Sequence, residues 1–144
     1  MSVTVDADVL LYASDASSRF HERARAFVEE LARGPGIVYL FWPTIMAYLR
    51  IATHPAIFRV PLAPAEAMAN VEALLTRPHV RAPGETDGFW DRFRDAAGVP
   101  PVRGNLVPDA HLVALMREHG VRTIWTHDRD FRRFEGIRVR DPFA

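Results

Sequence analysis

Short apolar runs alternate with longer amphipathic segments along most of the chain. The apolar runs have the length of buried strands and predict strands at Val3–Val5, Ile37–Leu40, Arg122–Trp125 and Ile137–Arg140. The less apolar segment His79–Arg81 could be a short strand. Strands that alternate with helices indicate an α/β domain with a mostly parallel sheet. In such a sheet, functional residues lie outside the carboxyl ends of the strands. The residues that follow each strand are therefore the first candidates for chemistry.

The segments between the strands have apolar residues at helical spacing. They predict helices at Leu10–Tyr12, His21–Arg33, Pro43–Thr53, Ala65–Leu75, Thr86–Ala97 and Pro108–His119. Met68 shares one side of its helix with Val71 and Leu74, and we expect that side to face the core. Proline and glycine predict loops at His54–Pro64 and Val99–Leu106. The segment Thr126–Phe134 is predicted to be a loop or a helical turn.

Composition narrows the class of protein. The 144 residues fit one domain, residues 1–144, with its own core. The chain has no cysteine, which excludes disulfides, thiolate metal sites and a cysteine nucleophile and fits a cytoplasmic location. No apolar stretch approaches the roughly 20 residues of a membrane span. The net charge is zero, which argues against a bulk electrostatic hold on nucleic acid, although every basic residue is Arg.

Three acidic residues follow the predicted strands or begin a helix. Asp6 ends the first strand, Asp128 follows the strand Arg122–Trp125, and Asp109 lies in the first turn of a helix. If the two strands are neighbours, these carboxylates meet at one edge of the sheet. Clustered carboxylates repel one another and favour a bound cation. Oxygen ligands without cysteine or a histidine pair favour Mg²⁺ or Mn²⁺, which can activate water against a phosphodiester.

Each acid also has an ordinary explanation. Asp6 could cap the following helix, Asp109 is favoured by the helix dipole, and Asp128 and Asp130 are typical of a solvated or capping loop. The joint pattern of three acids at sheet-edge positions of one small domain favours the metal site.

Several segments together resemble PIN domains. Val5–Tyr12 resembles the family's opening "DANVLLY", Gly104–Leu112 resembles "NLVPDAHLAAL", and Thr126–Phe131 resembles "TxDxDF". His21–Ala26 and Leu49–Pro55 are also similar. The motifs occur in the family's order and cover nearly the whole chain. Within the family, the sequence is most similar to toxin ribonucleases of the VapC type.

The resemblance implies a PIN-like three-layer α/β/α fold with a short, mostly parallel central sheet. It implies an Mg²⁺- or Mn²⁺-dependent endoribonuclease that cleaves a structured RNA, forms a homodimer and is inhibited by a cognate antitoxin. Asp6, Asp109 and Asp128 are then the catalytic metal ligands, with Asp130 as a further candidate ligand.

Two positions depart from the family pattern. The family often has Glu three residues before Arg50, where this chain has Ala47, and it usually has Asn where this chain has Asp8. We hypothesise that Asp8 is a further metal ligand that partly restores the charge lost at Ala47. This hypothesis assumes that the first strand continues far enough for Asp6 and Asp8 to point the same way. The alternative is that Asp8 caps the following helix.

The candidate substrate-binding residues are Arg50, Asn105 and Arg129. His127 could transfer a proton near the metal, although nothing in the sequence positions it. Two other functions stay open. One is a PIN-fold module that binds RNA or an antitoxin without cutting, since the acid at Ala47 is missing. The other is a haloacid-dehalogenase-like phosphatase that uses Asp6 as nucleophile, because Asp6-Ala7-Asp8 resembles the start of "DxDxT".

Overall fold

A five-stranded parallel sheet forms the centre of the protein in the computed structural model, which describes residues 1–144. The strands are β1 (Ser2–Val5), β2 (Ile37–Tyr39), β3 (Val80–Arg81), β4 (Thr123–Trp125) and β5 (Arg138–Arg140). They lie in the order β3-β2-β1-β4-β5. All four neighbouring pairs are parallel, so the predicted sheet is confirmed.

Six α-helices connect or follow the strands. They are α1 (Ala7–Ser14), α2 (His21–Arg33), α3 (Trp42–Ala52), α4 (Pro64–Leu75), α5 (Phe89–Ala97) and α6 (Leu106–Glu118). A short 3₁₀ helix spans Arg129–Arg133 in the segment predicted as a loop or helical turn. No helix is both long enough and apolar enough to cross a bilayer.

The bounds of several helices differ from the sequence prediction, most clearly at the starts of α1, α5 and α6. Helix α1 begins at Ala7 rather than Leu10, directly after the N-cap residue Asp6. Helix α5 begins at Phe89 rather than Thr86, with Gly88 at the N-cap. Thr86 lies before the helix, where its backbone amide and its hydroxyl both donate to the carboxylate of Glu118 on α6. Helix α6 begins at Leu106, before Pro108, because a proline in the first turn of a helix removes no intrahelical hydrogen bond.

The sheet separates two hydrophobic cores, which gives the three-layer architecture. Residues that alternate along a strand enter different cores, as expected for a side-chain period of two. In β4, Ile124 packs against the α5–α6 side, whereas Trp125 packs against the side formed by α1 to α4. On α6, the predicted inward residues are all buried, namely Leu112, Val113, Leu115 and Met116.

The predicted inward position of Met68 on α4 is wrong, since this residue is 53% exposed. Helix α4 buries only a narrow stripe that contains Ala67 and Val71. Leu74 and Leu75 are partly buried against the same core. The apolar side of α4 is therefore wider than the surface that the neighbouring elements cover.

The order of the strands fixes where a functional site can form. From β1 the chain moves to β2 and β3 on one side, and it later returns to place β4 on the other side of β1. The crevice between β1 and β4 is thus the topological switch point, where ligands bind in open α/β sheets. Asp6 follows β1 and Asp128 follows β4 at this point.

Candidate functional site

Asp6 is fixed at the carboxyl edge of β1 by backbone and side-chain hydrogen bonds. Val5 pairs with Trp125 in the β1–β4 register, and the Asp6 amide donates to the Trp125 carbonyl at 2.9 Å. The Asp6 carboxylate accepts from the amide of Ala7 at 2.8 Å and is the N-cap of α1. The capping explanation for Asp6 is therefore correct, and it coexists with a position at the switch point.

Thr126, the residue after β4, joins the carboxylates of the site. Its hydroxyl lies 2.8 Å from Oδ2 of Asp6 and 3.3 Å from Oδ2 of Asp8, and it accepts from the amide of Asp128 at 2.9 Å. Thr126 is only 1% exposed. A single buried hydroxyl thus connects three acidic residues from two chain segments. Thr126 opens the "TxDxDF" segment, but the sequence assigned no role to it.

The assumption that placed Asp6 and Asp8 on the same side of an extended strand is wrong. Strand β1 ends at Val5, and Asp8 lies in the first turn of α1. Asp8 is not the helix cap either, because Asp6 holds that position. The two carboxylates approach each other because both face Thr126.

The surroundings of Asp8 leave half of its carboxylate without a partner. Its Oδ2 accepts from the amide of His127 at 2.9 Å. Its Oδ1 is buried and has no hydrogen-bond partner. A buried carboxylate oxygen without a donor is unfavourable unless a cation or a proton satisfies it.

Asp109, Asp128 and Asp130 form the tightest acidic group. Each offers one carboxylate oxygen, and these oxygens lie within 4.8 Å of one another. The Asp128 carboxylate also accepts from the Asp130 amide at 2.9 Å. Asp130, which the sequence suggested only as an additional ligand, is thus in the closest set, while Asp6 and Asp8 lie beside it through Thr126.

The surroundings of Asp6, Asp8 and Asp109 disfavour the ionised forms of these three residues in the metal-free protein. Burial raises the pKa of Asp6, and the charge of Asp128 raises it further. Burial and then the charge of Asp6 raise the pKa of Asp8 to about 7. Burial, followed by the charges of Asp6, Asp128 and Asp130, raises the pKa of Asp109 to about 7. A cation would reverse these shifts.

The residues present fit a hard divalent cation. All candidate ligands are carboxylates, one buried carboxylate oxygen is unpartnered, and three acids converge within ligand distance. The only basic side chain that lowers the pKa of Asp109 is Arg133, and it forms no ion pair with the cluster. Oxygen ligands of this kind suit Mg²⁺ or Mn²⁺.

The structure does not bring every candidate residue to this centre. Arg50 is exposed in the last turn of α3, forms no hydrogen bond or ion pair, and is not among the charges that shift the carboxylate pKa values. Asn105 precedes α6 but makes no side-chain cap. Arg129 is exposed in the 3₁₀ helix that follows Asp128. Their contacts with substrate stay predictions.

His127 is positioned by a residue that the sequence analysis overlooked. Its Nδ1 lies 2.8 Å from Oδ2 of Asp141, and its ring lies 4.8 Å from that of Phe20. The His127 ring therefore contacts the C-terminal segment, while the His127 backbone amide donates to Asp8. The only sequence signal was the presence of Asp141 shortly after the last strand.

The PIN domain family profile matches residues 3–137 of this chain. Over 144 residues the chain is 57% identical to Ribonuclease VapC48 of Mycobacterium tuberculosis, an alignment that covers 100% of this chain and 99% of that protein. The chain belongs to the PIN-domain family of VapC ribonucleases. Ribonuclease VapC37 of the same organism is 34% identical over 140 residues, with 97% of this chain and 96% of that protein covered.

Solved structures of more distant proteins share the VapC fold. The structure described as Mycobacterium tuberculosis VapC20, a Sarcin-Ricin loop cleaving toxin, has a TM-score of 0.67 at 20% identity and covers 94% of this chain and 98% of its own. VapBC2 from Rickettsia felis, bound to a DNA fragment from its promoter, has a TM-score of 0.67 at 10% identity and covers 98% of both chains. These likenesses support the three-layer PIN fold predicted from the sequence.

Thr126 offers a direct test of how this VapC-family site is organised. If these carboxylates hold a metal ion, we expect Thr126→Val to lower RNA cleavage at least about tenfold, because hydrogen-bonded neighbours of metal ligands typically contribute 10- to 100-fold. Thr126→Ser keeps the hydroxyl and should retain most activity. Initial rates on one labelled RNA measure the effect. Equal rates for Val and Ser would show that the hydroxyl does not organise the carboxylates.

Proposed function

We propose that this VapC-family protein is a divalent-metal-dependent endoribonuclease that acts as the toxin of a toxin–antitoxin pair. The observation that carries the proposal is the convergence of Asp109, Asp128 and Asp130 within 4.8 Å, beside Asp6 at the β1–β4 switch point. The names of its relatives as ribonucleases support RNA as the substrate. RNA in the cytoplasm would be the target.

Each residue of the site has a proposed task. Asp109, Asp128 and Asp130 would hold Mg²⁺ or Mn²⁺, which when bound polarises a phosphoryl oxygen and lowers the pKa of water. Asp6 holds negative charge beside them and is kept in place by Ala7 and Thr126. No serine, cysteine or lysine nucleophile is required, which fits a chain without cysteine or lysine.

Asp8 is proposed to replace the acid that the family often has at the position of Ala47. Its carboxylate shares the Thr126 hydroxyl with Asp6, and its Oδ1 has no other partner. The charge of Asp6 also raises the pKa of Asp8, which places both carboxylates in one electrostatic group. Asp8 therefore contributes charge to the site from α1 rather than from α3.

A cognate antitoxin and a second copy of the chain are the proposed protein partners. Similar solved structures include the assemblies VapBC2 and FitAcB. Membership of the PIN family leaves the haloacid-dehalogenase alternative without support, and the Asp6 carboxylate is already occupied as a helix cap. The module that binds without cutting stays an alternative because of Ala47.

The proposal is tested by removing the metal. We expect purified protein to fragment cellular RNA in Mn²⁺ or Mg²⁺ and to lose all cleavage in EDTA, because no protein group supplies a nucleophile. Restoring Mn²⁺ should restore the fragments. Fragments that persist in EDTA would contradict metal-dependent catalysis. Tight RNA binding without fragments in either metal would support the binding module instead.

A further inference from the structure

An aromatic stack lies beside the acidic centre, where the turn after α1 meets the C-terminal segment. The rings of Phe20 and Phe143 are nearly parallel, with centroids 4.5 Å apart and an interplanar angle of 9°. Tyr12 meets both rings edge-on at 5.4 and 5.6 Å. Such offset and edge-to-face arrangements are favourable for aromatic groups. The stack therefore gives this surface a rigid support.

Two arginines lie over the rings of this stack. The guanidinium carbon of Arg19 is 4.7 Å from the centroid of Phe20, and that of Arg23 is 5.8 Å from the centroid of Phe143. Both distances are within the range of cation–π attraction. Both arginines are exposed, and neither forms an ion pair with an acidic residue. Their donor groups are thus oriented but have no carboxylate partner.

The turn that carries Arg19 is held by local hydrogen bonds. The Asp15 carboxylate accepts from the amide and the hydroxyl of Ser17, and the Ser18 hydroxyl accepts from the amide of Phe20. At the other end of the stack, the amide of Phe143 donates to Asp141 at 2.8 Å. Because hydrogen bonds hold the turn before Phe20 and the backbone of Phe143, the backbone position of Arg19 is well defined.

The stack is continuous with the proposed catalytic centre. The ring of His127 lies 4.8 Å from Phe20, while the backbone amide of His127 donates to Asp8. The pKa of the Tyr12 phenol is affected both by Arg19 and by acidic residues of the site. Burial raises its pKa, the charges of Asp8, Asp141 and Asp128 raise it further, and the charge of Arg19 opposes them. The charges of Arg19 and of the site carboxylates therefore act in opposite directions on the same phenol.

We propose that Arg19, held over Phe20, binds a backbone phosphate of the RNA next to the bond that is cut. This inference rests on the proposed function. A cluster of carboxylates repels a polyanion, and the chain has no net positive charge to compensate. A planar guanidinium with unpaired donors matches phosphate geometry. A phosphate is preferred to a base because Phe20 already has Phe143 and Arg19 as neighbours.

The test measures RNA binding without cleavage. In an Asp6→Asn background, binding of a labelled oligouridylate is measured over a range of salt concentrations, with and without Arg19→Ala. We expect Arg19→Ala to weaken binding about tenfold at low salt and to reduce the slope of log K against log salt by about 0.7, the value for one single-strand phosphate contact. The uniform oligomer is suitable because phosphate contacts carry no sequence information.

Arg33→Ala is the matched control. Arg33 is on the same helix as Arg23 but in its last turn, and its weak contact with Glu29 at 3.9 Å is exposed. It should change neither affinity nor slope. Phe20→Leu should weaken RNA binding but keep the salt slope, because the charge of Arg19 stays while the ring that holds its guanidinium in place is lost. Melting curves check that each variant is folded.

The outcomes separate this inference from the proposed function. If Arg19→Ala binds the oligomer with the affinity and slope of Arg33→Ala, Arg19 is not a phosphate contact, even if the wild type cuts RNA. If the wild type neither cuts nor binds RNA, the proposed function itself fails. If Arg19→Ala lowers the affinity but leaves the salt slope unchanged, the arginine supports the fold of the turn and the inference is also overturned.

Discussion

Asp6→Asn is expected to reduce RNA cleavage at least about a hundredfold while leaving the protein folded. Partners outside the ligand shell of a metal typically contribute 10- to 100-fold, and a charged group within the cluster should contribute more. Asparagine is as good a helix N-cap as aspartate, so it can accept from Ala7 as Asp6 does at 2.8 Å. The change therefore removes charge with little change of shape.

The stability of Asp6→Asn should rise rather than fall in metal-free protein. Burial and the charge of Asp128 raise the pKa of Asp6, which means that its ionised form is unfavourable where it lies. A neutral isostere relieves that penalty. A variant that is inactive and also more stable separates a catalytic role from a structural one.

Asp91→Asn is the matched control for this measurement. Asp91 lies in the first turn of α5, as Asp6 lies at the start of α1, but it is exposed and its side chain makes no hydrogen bond. Its substitution should leave cleavage unchanged. Cleavage rates on one labelled RNA in Mn²⁺ and thermal melts in EDTA measure both effects. An Asp6→Asn protein with wild-type activity would remove Asp6 from the catalytic centre.

Much of the fold could be predicted because its signals are local. Segments of strand length predicted all five strands, and the carboxyl-edge rule pointed to Asp6 and Asp128, which follow the adjacent strands β1 and β4. The predicted start of α5 was wrong, since Thr86 lies before the helix and donates to Glu118, a side chain distant in sequence. Periodicity cannot reveal such a partner, which is 32 residues away.

The site was less predictable than the fold. Thr126 stands in the "TxDxDF" segment without a role that the sequence could assign, and no local pattern marks Asp141, since the importance of both comes from partners on other segments. Asp8 was expected to lie beside Asp6 because of the alternation of side chains along a strand. The two carboxylates do lie beside each other, but not because a strand continues to Asp8. A helix that begins at Ala7 turns Asp8 towards Thr126. Sequence reasoning thus found the acids, and only the fold showed which groups join them.

Metal-free protein is expected to lose stability as the pH rises from about 4 to about 7. The pKa values of Asp8 and Asp109 are raised from 3.8 to about 7 in the folded state. Between these values the folded state binds more protons than the unfolded state, so the free energy of unfolding decreases with rising pH. Below about pH 4 both carboxyl groups are protonated in the folded and in the unfolded state, so the stability no longer depends on their titration. Urea unfolding in EDTA across this range measures it.

Asp8→Asn should remove much of this pH dependence and weaken metal binding in the same molecule. One pKa unit corresponds to about 1.4 kcal/mol, so we expect the wild type to lose roughly 2 to 4 kcal/mol more than the variant between about pH 4 and pH 8. Mn²⁺ affinity, measured by calorimetry near pH 7.5, should fall at least about tenfold. Asp91→Asn should match the wild type in both measurements.

The two effects of Asp8→Asn must appear together if Asp8 belongs to the metal centre. A ligand that binds only the folded state stabilises it by RT ln(1 + [L]/Kd), so the repulsion that destabilises the metal-free protein is released when the cation binds. Adding Mn²⁺ should therefore flatten the pH profile of the wild type and change that of the variant much less. If the variant loses the pH dependence but keeps full Mn²⁺ affinity, then Asp8 is a buried acid beside the site and does not compensate for Ala47.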